Sequence, residues 1–355
     1  MKTHTCLIVS ACLAQPVWAL FPLLDHIDLR TTYRSATQDW KWELVTAEED
    51  ADPAQAYFPA RDAEYPDGEK DYRPPGSEWD FLGAGEGEPL WIYVESGDAY
   101  SWLGFDNTSA GLQDPVNFTL AGVTGPAGGH FALYRVIGGM PVVFMSTADG
   151  ISAADLFPKP AGHHHLNWSF TRRGMWAVDL KVSGTRTGGN RPTVAGPTDT
   201  ARLFFAIGEK AEWRARNFDT ATVMDESVAG DLTDPDHDGW PNLLEYAFGG
   251  NPRQNGLKRS GTQTSAAPVQ GMGQNQEAVY PSITFYQMKD AGAAGIRYAV
   301  EWQSGLETSG WAEGGSIHLI ENVDAKWERV TVRDSQPAGA GKRFCRIRVE
   351  ALPQP

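Results

Sequence analysis

Carboxylate side chains recur at every second position in a short segment that begins at Asp234. Acids occupy positions 1, 3 and 5 of these twelve residues, Gly239 stands at position 6, and a glutamate stands at position 12. Three carboxylates at this spacing can converge on one hard cation, while the glycine permits the sharp turn and the glutamate reaches back from a following helix. The segment therefore predicts a structural calcium site. Its candidate ligands are Asp234, Asp236, Asp238, the backbone carbonyl of Trp240, Asn242 and Glu245.

A run of three histidines forms the second group with chemical potential. In an extended chain, His163 and His165 point to the same side and can share one metal ion. Zn²⁺ and Cu²⁺ are the cations that suit imidazole ligands, and further ligands could come from His26 or Asp28. The same histidine spacing also fits a hydrogen-bonded turn at the head of a strand, so both interpretations stay open.

Motifs for other chemistry are sparse. The chain has no GxSxG, HExxH, phosphate-binding P-loop, or GxGxxG after a strand. Trp40 and Trp42 share one strand face and could form a platform that stacks on sugar rings. Trp91 or Trp102 could do the same, although such residues more often pack within sheets. A carbohydrate-binding accessory module is therefore an alternative hypothesis.

Several motifs occur in a fixed order in the first half of the chain. They are His26-x-Asp28-Leu29, residues 81–85 with 89–91, residues 102–105, residues 125–134, and His163-x-His165-x-Asn167-Trp168-x-Phe170. Together they resemble the choice-of-anchor M domain of bacterial surface-anchored proteins, over about residues 21–207. The resemblance implies a non-enzymatic protein of the cell surface, and some members of that family accompany metal-type ABC transporters. The calcium segment resembles the loop-plus-helix motifs of dockerins and thrombospondin type 3 repeats, and a small C-terminal β module follows it.

Alternating apolar and polar residues, separated by Gly and Pro turns, predict a mainly β protein. We expect an N-terminal β-sandwich over 20–210 and a small immunoglobulin-like or fibronectin-like β module over 280–355. Between them we expect an acidic linker over 211–233, the calcium-binding loop and helix over 234–252, and a flexible linker over 253–279. The acidic stretch 43–71 has little apolar periodicity, which predicts a solvated loop.

The first nineteen residues have the pattern of an export signal. Lys2 precedes an apolar run over 6–13, and small residues lead to a cleavage point after Ala19. A lipoprotein processed at Cys12 is the alternative. Cleavage after Ala19 would leave Cys345 as a single thiol, which the surrounding strand pattern predicts to be buried. No stretch is long enough for a transmembrane segment. We expect a secreted, periplasmic or surface-associated protein.

The formal net charge of −15 argues against nucleic acid as a partner, because nucleic-acid binding needs a basic surface. The leading hypothesis is an exported, non-catalytic protein that acts in adhesion or envelope structure through an unknown envelope or extracellular partner. In this hypothesis Ca²⁺ stiffens the junction between its two β parts. The second hypothesis is a Zn²⁺- or Cu²⁺-binding protein linked to metal uptake.

Overall fold

The computed structural model describes residues 20–353, apart from 24–25, 35, 38, 48–49, 61–70, 96–101, 108–111, 187–191, 194–199, 258–266, 276–277, 306–308 and 340. The expected export signal lies outside the described residues. Strands account for 50% of the structure and helices for 11%, which confirms the mainly β prediction. None of the described helices is long and apolar enough to cross a bilayer.

The described residues of the N-terminal unit form fifteen strands, two of which have only two residues. They are β1 (Phe21–Pro22), β2 (His26–Arg34), β3 (Asp39–Val45), β4 (Ala56–Ala60), β5 (Trp91–Tyr93), β6 (Trp102–Asp106), β7 (Leu112–Thr124), β8 (Phe131–Ile137), β9 (Met140–Ser146), β10 (Leu156–Lys159), β11 (His163–His165), β12 (Asn167–Phe170), β13 (Gly174–Arg186), β14 (Pro192–Thr193) and β15 (Thr200–Ile207). Short 3₁₀ helices lie at Pro53–Gln55 and Ser77–Leu82.

Among the strands that the structure describes in this unit, three sheets enclose one apolar core. The largest has the order β1-β4-β15-β13-β7-β10, with β14 paired to β13, and the two four-stranded sheets have the orders β11-β6-β2-β3 and β5-β12-β8-β9. Alternation explains the layering, because Ile27 and Leu29 on β2 are fully buried in the apolar core while Asp28, between them, lies on the opposite face of the strand. Trp40 and Trp168, both fully buried, belong to the same core.

In the part of the chain after β15 that the structure describes, there are three helices and seven strands. They are α1 (Glu209–Asn217), α2 (Glu226–Ala229), α3 (Asn242–Phe248), β16 (Val269–Asn275), β17 (Ala278–Met288), β18 (Ile296–Gln303), β19 (Ala312–Glu313), β20 (Ser316–Asn322), β21 (Trp327–Arg333) and β22 (Phe344–Ala351). The strands form two antiparallel sheets, β16-β17-β21-β20 and β19-β18-β22, with an apolar core that also takes in α3.

Two segments that the sequence predicts as loop or linker are built into the N-terminal unit. Within 43–71, all five residues of β4 are buried, and β4 runs parallel to β15 inside the largest sheet. This prediction is wrong because the acidic flanks hide a short apolar run of the kind that forms buried strands. The expected linker 211–233 is likewise wrong, because Ala211 and Ala215, on one face of α1, pack against the sheet.

The expected flexible linker 253–279 is also wrong in part. Its described residues include β16, which pairs along its whole length with β17. Leu257 is buried in the core that α3 shares with the C-terminal sheets. The cause is compositional, because the Gly, Gln and Ser content typical of a linker also suits an edge strand with one solvent-facing side.

A buried ion pair fixes the last strand of the C-terminal unit. Arg343 donates from Nε to Asp334 Oδ2 at 2.5 Å and from Nη2 to Oδ1 at 2.9 Å, and the Asp334 side chain is 1% exposed. Burial acts to raise the pKa of Asp334, but the guanidinium and nearby backbone N–H groups outweigh burial and lower it. The carboxylate is therefore held in its charged form by a two-point contact.

We expect Arg343→Gln to lower the free energy of unfolding by about 3 kcal/mol, because it leaves a buried carboxylate without its cation. Arg329→Gln is the matched control, since Arg329 pairs with Glu321 at an exposed site and should cost less than about 1 kcal/mol. Urea unfolding of both variants measures the difference. Equal losses of unfolding free energy in the two variants would contradict a larger contribution from the buried ion pair.

Candidate metal centres

The sheet β11-β6-β2-β3 brings together side chains that are far apart in the sequence. Strand β2 runs parallel to β6 and places Asp28 opposite Gly104, while β11 runs antiparallel to β6 and places His165 opposite the same glycine. His26 is two residues before Asp28 on β2, and His163 is two residues before His165 on β11. Because side chains two residues apart in a strand share a face, all four side chains lie on the same face of the sheet. The register of three neighbouring strands therefore collects all four predicted transition-metal ligands, which we call the histidine cluster.

The donor atoms of the histidine cluster point at one another. The Nε2 atoms of His26 and His165 are 3.0 Å apart, and those of His165 and His163 are 3.1 Å apart. Asp28 Oδ1 lies 2.6 Å from His163 Nε2. One donor atom from each residue lies within 4.8 Å of all the others, which is a separation that one metal ion can bridge.

Gly104 makes this convergence possible. A Cβ atom at this position would lie 2.4 Å from Asp28 Oδ1 and 2.9 Å from Cε1 of His165. Any larger residue would therefore occupy the space in which the two outer strands bring their side chains together. Glycine inside a strand often marks a close approach of this kind, and here it leaves the space above the middle strand free.

The cluster is half-exposed and its central imidazole is uncharged at neutral pH. The His26 and His163 side chains are each 43% exposed, whereas that of Asp28 is 12% exposed. Burial and then the neighbouring His163 lower the pKa of His165 to about 4, although Asp28 acts in the opposite direction. His165 can therefore offer a lone pair from Nε2 without first losing a proton. The exposed rings leave a path from solvent to the donor atoms.

A buried lysine fixes the turn that leads into β11. Lys159 is fully buried, and its ammonium group donates to Asn107 Oδ1 at 2.8 Å and to the Pro160 carbonyl at 3.0 Å. It also donates to the carbonyl of Gly162, the residue before His163. Because Asn107 directly follows β6, the lysine ties the histidine-bearing strand to the strand beside it. Contacts of this kind behind the ligands hold metal sites in shape.

The calcium loop, residues 234–245, folds as a tight acidic turn. One carboxylate oxygen from each of Asp234, Asp236 and Asp238 lies within 4.8 Å of the other two. Asp234 accepts the backbone N–H of Gly239 at 2.8 Å, and Gly239 has a φ of 91°, a value that glycine adopts without strain. His237 stands at φ 60° and fills the non-ligand fourth position. The backbone therefore forms the sharp turn that the sequence pattern predicts at Gly239.

Glu245 supplies an independent indication of a cation here. The residue is 0% exposed, and neither of its carboxylate oxygens has a hydrogen-bond partner among the described residues. Burial, followed by the negative charges of Asp236, Asp238 and Asp234, raises the pKa of Glu245 to about 8. Glu245 does not belong to the group of three aspartates whose oxygens lie within 4.8 Å of one another, but it feels their negative charges. A buried carboxylate in such surroundings is costly unless a cation neutralises it. The donor set consists of oxygen atoms alone, which fits Ca²⁺.

Asn242 and Trp240, the two other predicted calcium ligands, also have structural roles. The buried Asn242 amide donates from Nδ2 to the carbonyls of Val228 and Gly230 at 3.0 and 2.8 Å, and to Thr233 Oγ1 at 2.8 Å. Trp240 packs at the edge of the C-terminal core. These contacts tie the start of α3 to the preceding turn, so the loop is held at both ends.

The sequence did not single out Gly104 or Lys159, although a glycine between apolar strand residues was an available signal for the first. The structure also bears on the predicted sugar platform. Trp40 is 0% and Trp91 is 7% exposed, so both are core residues and cannot stack on a sugar. Trp102 stands beside the histidine cluster, with its ring centroid 6.2 Å from that of His26. The prediction of a sugar platform is therefore wrong for Trp40 and Trp91.

Comparison with known proteins adds no assignment. A scan against protein-family models finds no match to this chain, and no protein with a curated description matches it. The resemblance to the choice-of-anchor M domain therefore stays a prediction.

We expect millimolar Ca²⁺ to raise the free energy of unfolding by about 1–2 kcal/mol, given a dissociation constant in the range usual for extracellular modules. EGTA should reverse the gain. Glu245→Gln should abolish the calcium response, because it removes the closing carboxylate. His237→Asn is the matched control, since asparagine tolerates the left-handed backbone and position 4 supplies no ligand. Thermal melting with and without EGTA measures the effect, and an unchanged wild-type melting curve would contradict the calcium assignment.

We expect Gly104→Ala to weaken Zn²⁺ binding at least about tenfold, because the new methyl group displaces Asp28 and His165. Gly273→Ala is the matched control, since a Cβ there would meet Arg333 Cδ at an ordinary 3.5 Å. Isothermal titration measures both affinities, and circular dichroism checks that each variant is folded. A folded Gly104→Ala protein with wild-type affinity would refute the role of this glycine.

Proposed function

We propose that this is an exported, non-catalytic protein that binds a transition-metal ion at the surface of its N-terminal β-sandwich. In this proposal Ca²⁺ stabilises the C-terminal unit. The observation that carries the proposal is the convergence of three imidazole Nε2 atoms at 3.0 and 3.1 Å from residues up to 139 positions apart, with a carboxylate oxygen 2.6 Å away.

The hydrogen-bonded turn, the alternative to a metal site, explains this arrangement less well. A neutral imidazole Nε2 either carries one hydrogen or offers one lone pair. His165 Nε2 faces the nitrogens of both His26 and His163, so it can make one good hydrogen bond and must leave the other contact poor. A single cation in the middle accepts all the lone pairs at once. The donor set of three imidazoles and one carboxylate suits a borderline cation such as Zn²⁺ or Cu²⁺.

The position of the cluster supports capture of a metal from solution. Two of its rings are 43% exposed, which allows a partner or solvent to reach the ion. The formal net charge of −15 favours the approach of cations. A role in metal uptake also agrees with what the resemblance to the choice-of-anchor M domain implies, since some members of that family accompany metal-type transporters.

An adhesion or envelope-structural role is the second candidate. The calcium loop favours it, because α3 leaves that loop and contributes to the core of the C-terminal unit. Trp213 of α1 meets Tyr246 of α3 with ring centroids 5.6 Å apart, so the calcium-braced helix also contacts the N-terminal unit. A stiff two-part protein of this kind would suit display on a cell surface.

Metal analysis of the protein expressed as residues 20–355 tests the proposal. We expect about one Zn²⁺ or Cu²⁺ per chain after loading and desalting, and a loss of that metal in the His163→Ala/His165→Ala double variant. His318→Ala is the matched control, since His318 is an exposed residue of β20 outside the cluster. A wild-type protein that retains neither metal would exclude the transition-metal function and leave the structural one.

A further inference from the structure

We propose that the histidine cluster is a four-coordinate, non-planar site whose cognate ion is Zn²⁺, with Asp28 as the fourth ligand. This inference deepens the proposed transition-metal function and rests on it. The residue types alone fit both Zn²⁺ and Cu²⁺, whereas the arrangement of the His26, His163 and His165 rings in space favours Zn²⁺.

The three imidazole rings form a nearly equilateral triangle. Their centroids are 5.1 Å apart for His26 and His163, 4.9 Å for His26 and His165, and 4.5 Å for His163 and His165. A ring centroid lies about 1.15 Å beyond Nε2, so with metal–nitrogen bonds of about 2.1 Å two imidazoles at the tetrahedral angle have centroids about 5.3 Å apart. Two imidazoles opposite each other have centroids about 6.5 Å apart. All three distances therefore fit rings on one side of an ion, and no pair is in the opposite position.

A planar site needs the arrangement that these rings lack. Three imidazoles in a square plane must include one opposite pair, and square-planar or tetragonal geometry is what Cu²⁺ prefers. Zn²⁺ has no electronic preference for a plane and takes four ligands at tetrahedral positions.

Asp28 occupies the remaining corner. Its carboxylate lies above Gly104, and its side chain is 12% exposed, against 43% for that of His26. A carboxylate oxygen is a hard donor that suits a divalent ion and disfavours Cu⁺, which prefers sulfur ligands. Three neutral imidazoles and one carboxylate would leave a bound divalent ion with a single net positive charge.

The surrounding structure resists rearrangement to a plane. His163 and His165 are two residues apart on one strand, so their rings must stay adjacent. Lys159 holds the turn before that strand, and Trp102 stands edge-on to the rings of both His26 and His165, at 6.2 and 6.1 Å. A move of any ring to the opposite side of the ion would break strand register or displace this tryptophan.

Co²⁺ is the probe that reports this geometry, because tetrahedral Co²⁺ absorbs visible light far more strongly than six-coordinate Co²⁺. We expect one equivalent of Co²⁺ to give intense visible bands that one equivalent of Zn²⁺ removes. Asp28→Asn should weaken Zn²⁺ binding at least about tenfold and change the Co²⁺ spectrum, whereas Asp39→Asn, a change at an exposed ion pair of the same sheet, should do neither.

Different outcomes would overturn the four-coordinate Zn²⁺ assignment and the proposed metal-binding function. Weak Co²⁺ bands, an unchanged spectrum in a folded Asp28→Asn variant, or an axial Cu²⁺ resonance typical of a planar site would overturn the four-coordinate Zn²⁺ assignment while metal binding stood. Failure of Zn²⁺, Co²⁺ and Cu²⁺ alike to bind would overturn the proposed function itself. Relative affinity is not the criterion, because Cu²⁺ exceeds Zn²⁺ at most nitrogen sites whatever their shape.

Discussion

The space above Gly104 is the constraint on which the candidate transition-metal site depends. Neighbouring strands lie about 4.8 Å apart, so the backbones of β2 and β11 are separated by about twice that distance with β6 between them. Asp28 and His165 can meet only by leaning over the middle strand, and they can do so only where that strand carries no side chain. Strand register places the residues, and the missing Cβ lets their donor atoms converge.

The two candidate metal centres are built in opposite ways. The calcium loop takes its carboxylates from one short segment, so it can form as soon as a local turn closes. The histidine cluster draws on strands separated by more than a hundred residues and exists only when the sandwich is assembled. Their donor sets differ accordingly, since oxygen atoms alone suit a hard ion and imidazoles suit a borderline one.

Local patterns predicted what depends on local spacing. The tight acidic turn around Gly239 followed from the spacing of its residues, and the mainly β class followed from alternation along strands such as β2. The histidines were recognisable as a group, but their distances depend on the register between β2, β6 and β11, which no single segment encodes. The linkers failed for a related reason, because composition described the polar face of α1 and missed Ala211 and Ala215 on its packed face. Lys159 gave no signal, since a lysine that ends a strand is usually solvated.

The placement of β11 has a consequence for how the protein responds to its surroundings. This strand has three residues and lies at the edge of its sheet, yet it carries two of the four donor groups. An ion held by both His165 and His26 would act as a cross-link that closes a loop of 139 residues, much as a disulfide does. The sole cysteine that the structure describes, Cys345, is free. The local stability of β11 and its contact with β2 would then depend on the supply of the metal ion and not on oxidation of a cysteine pair.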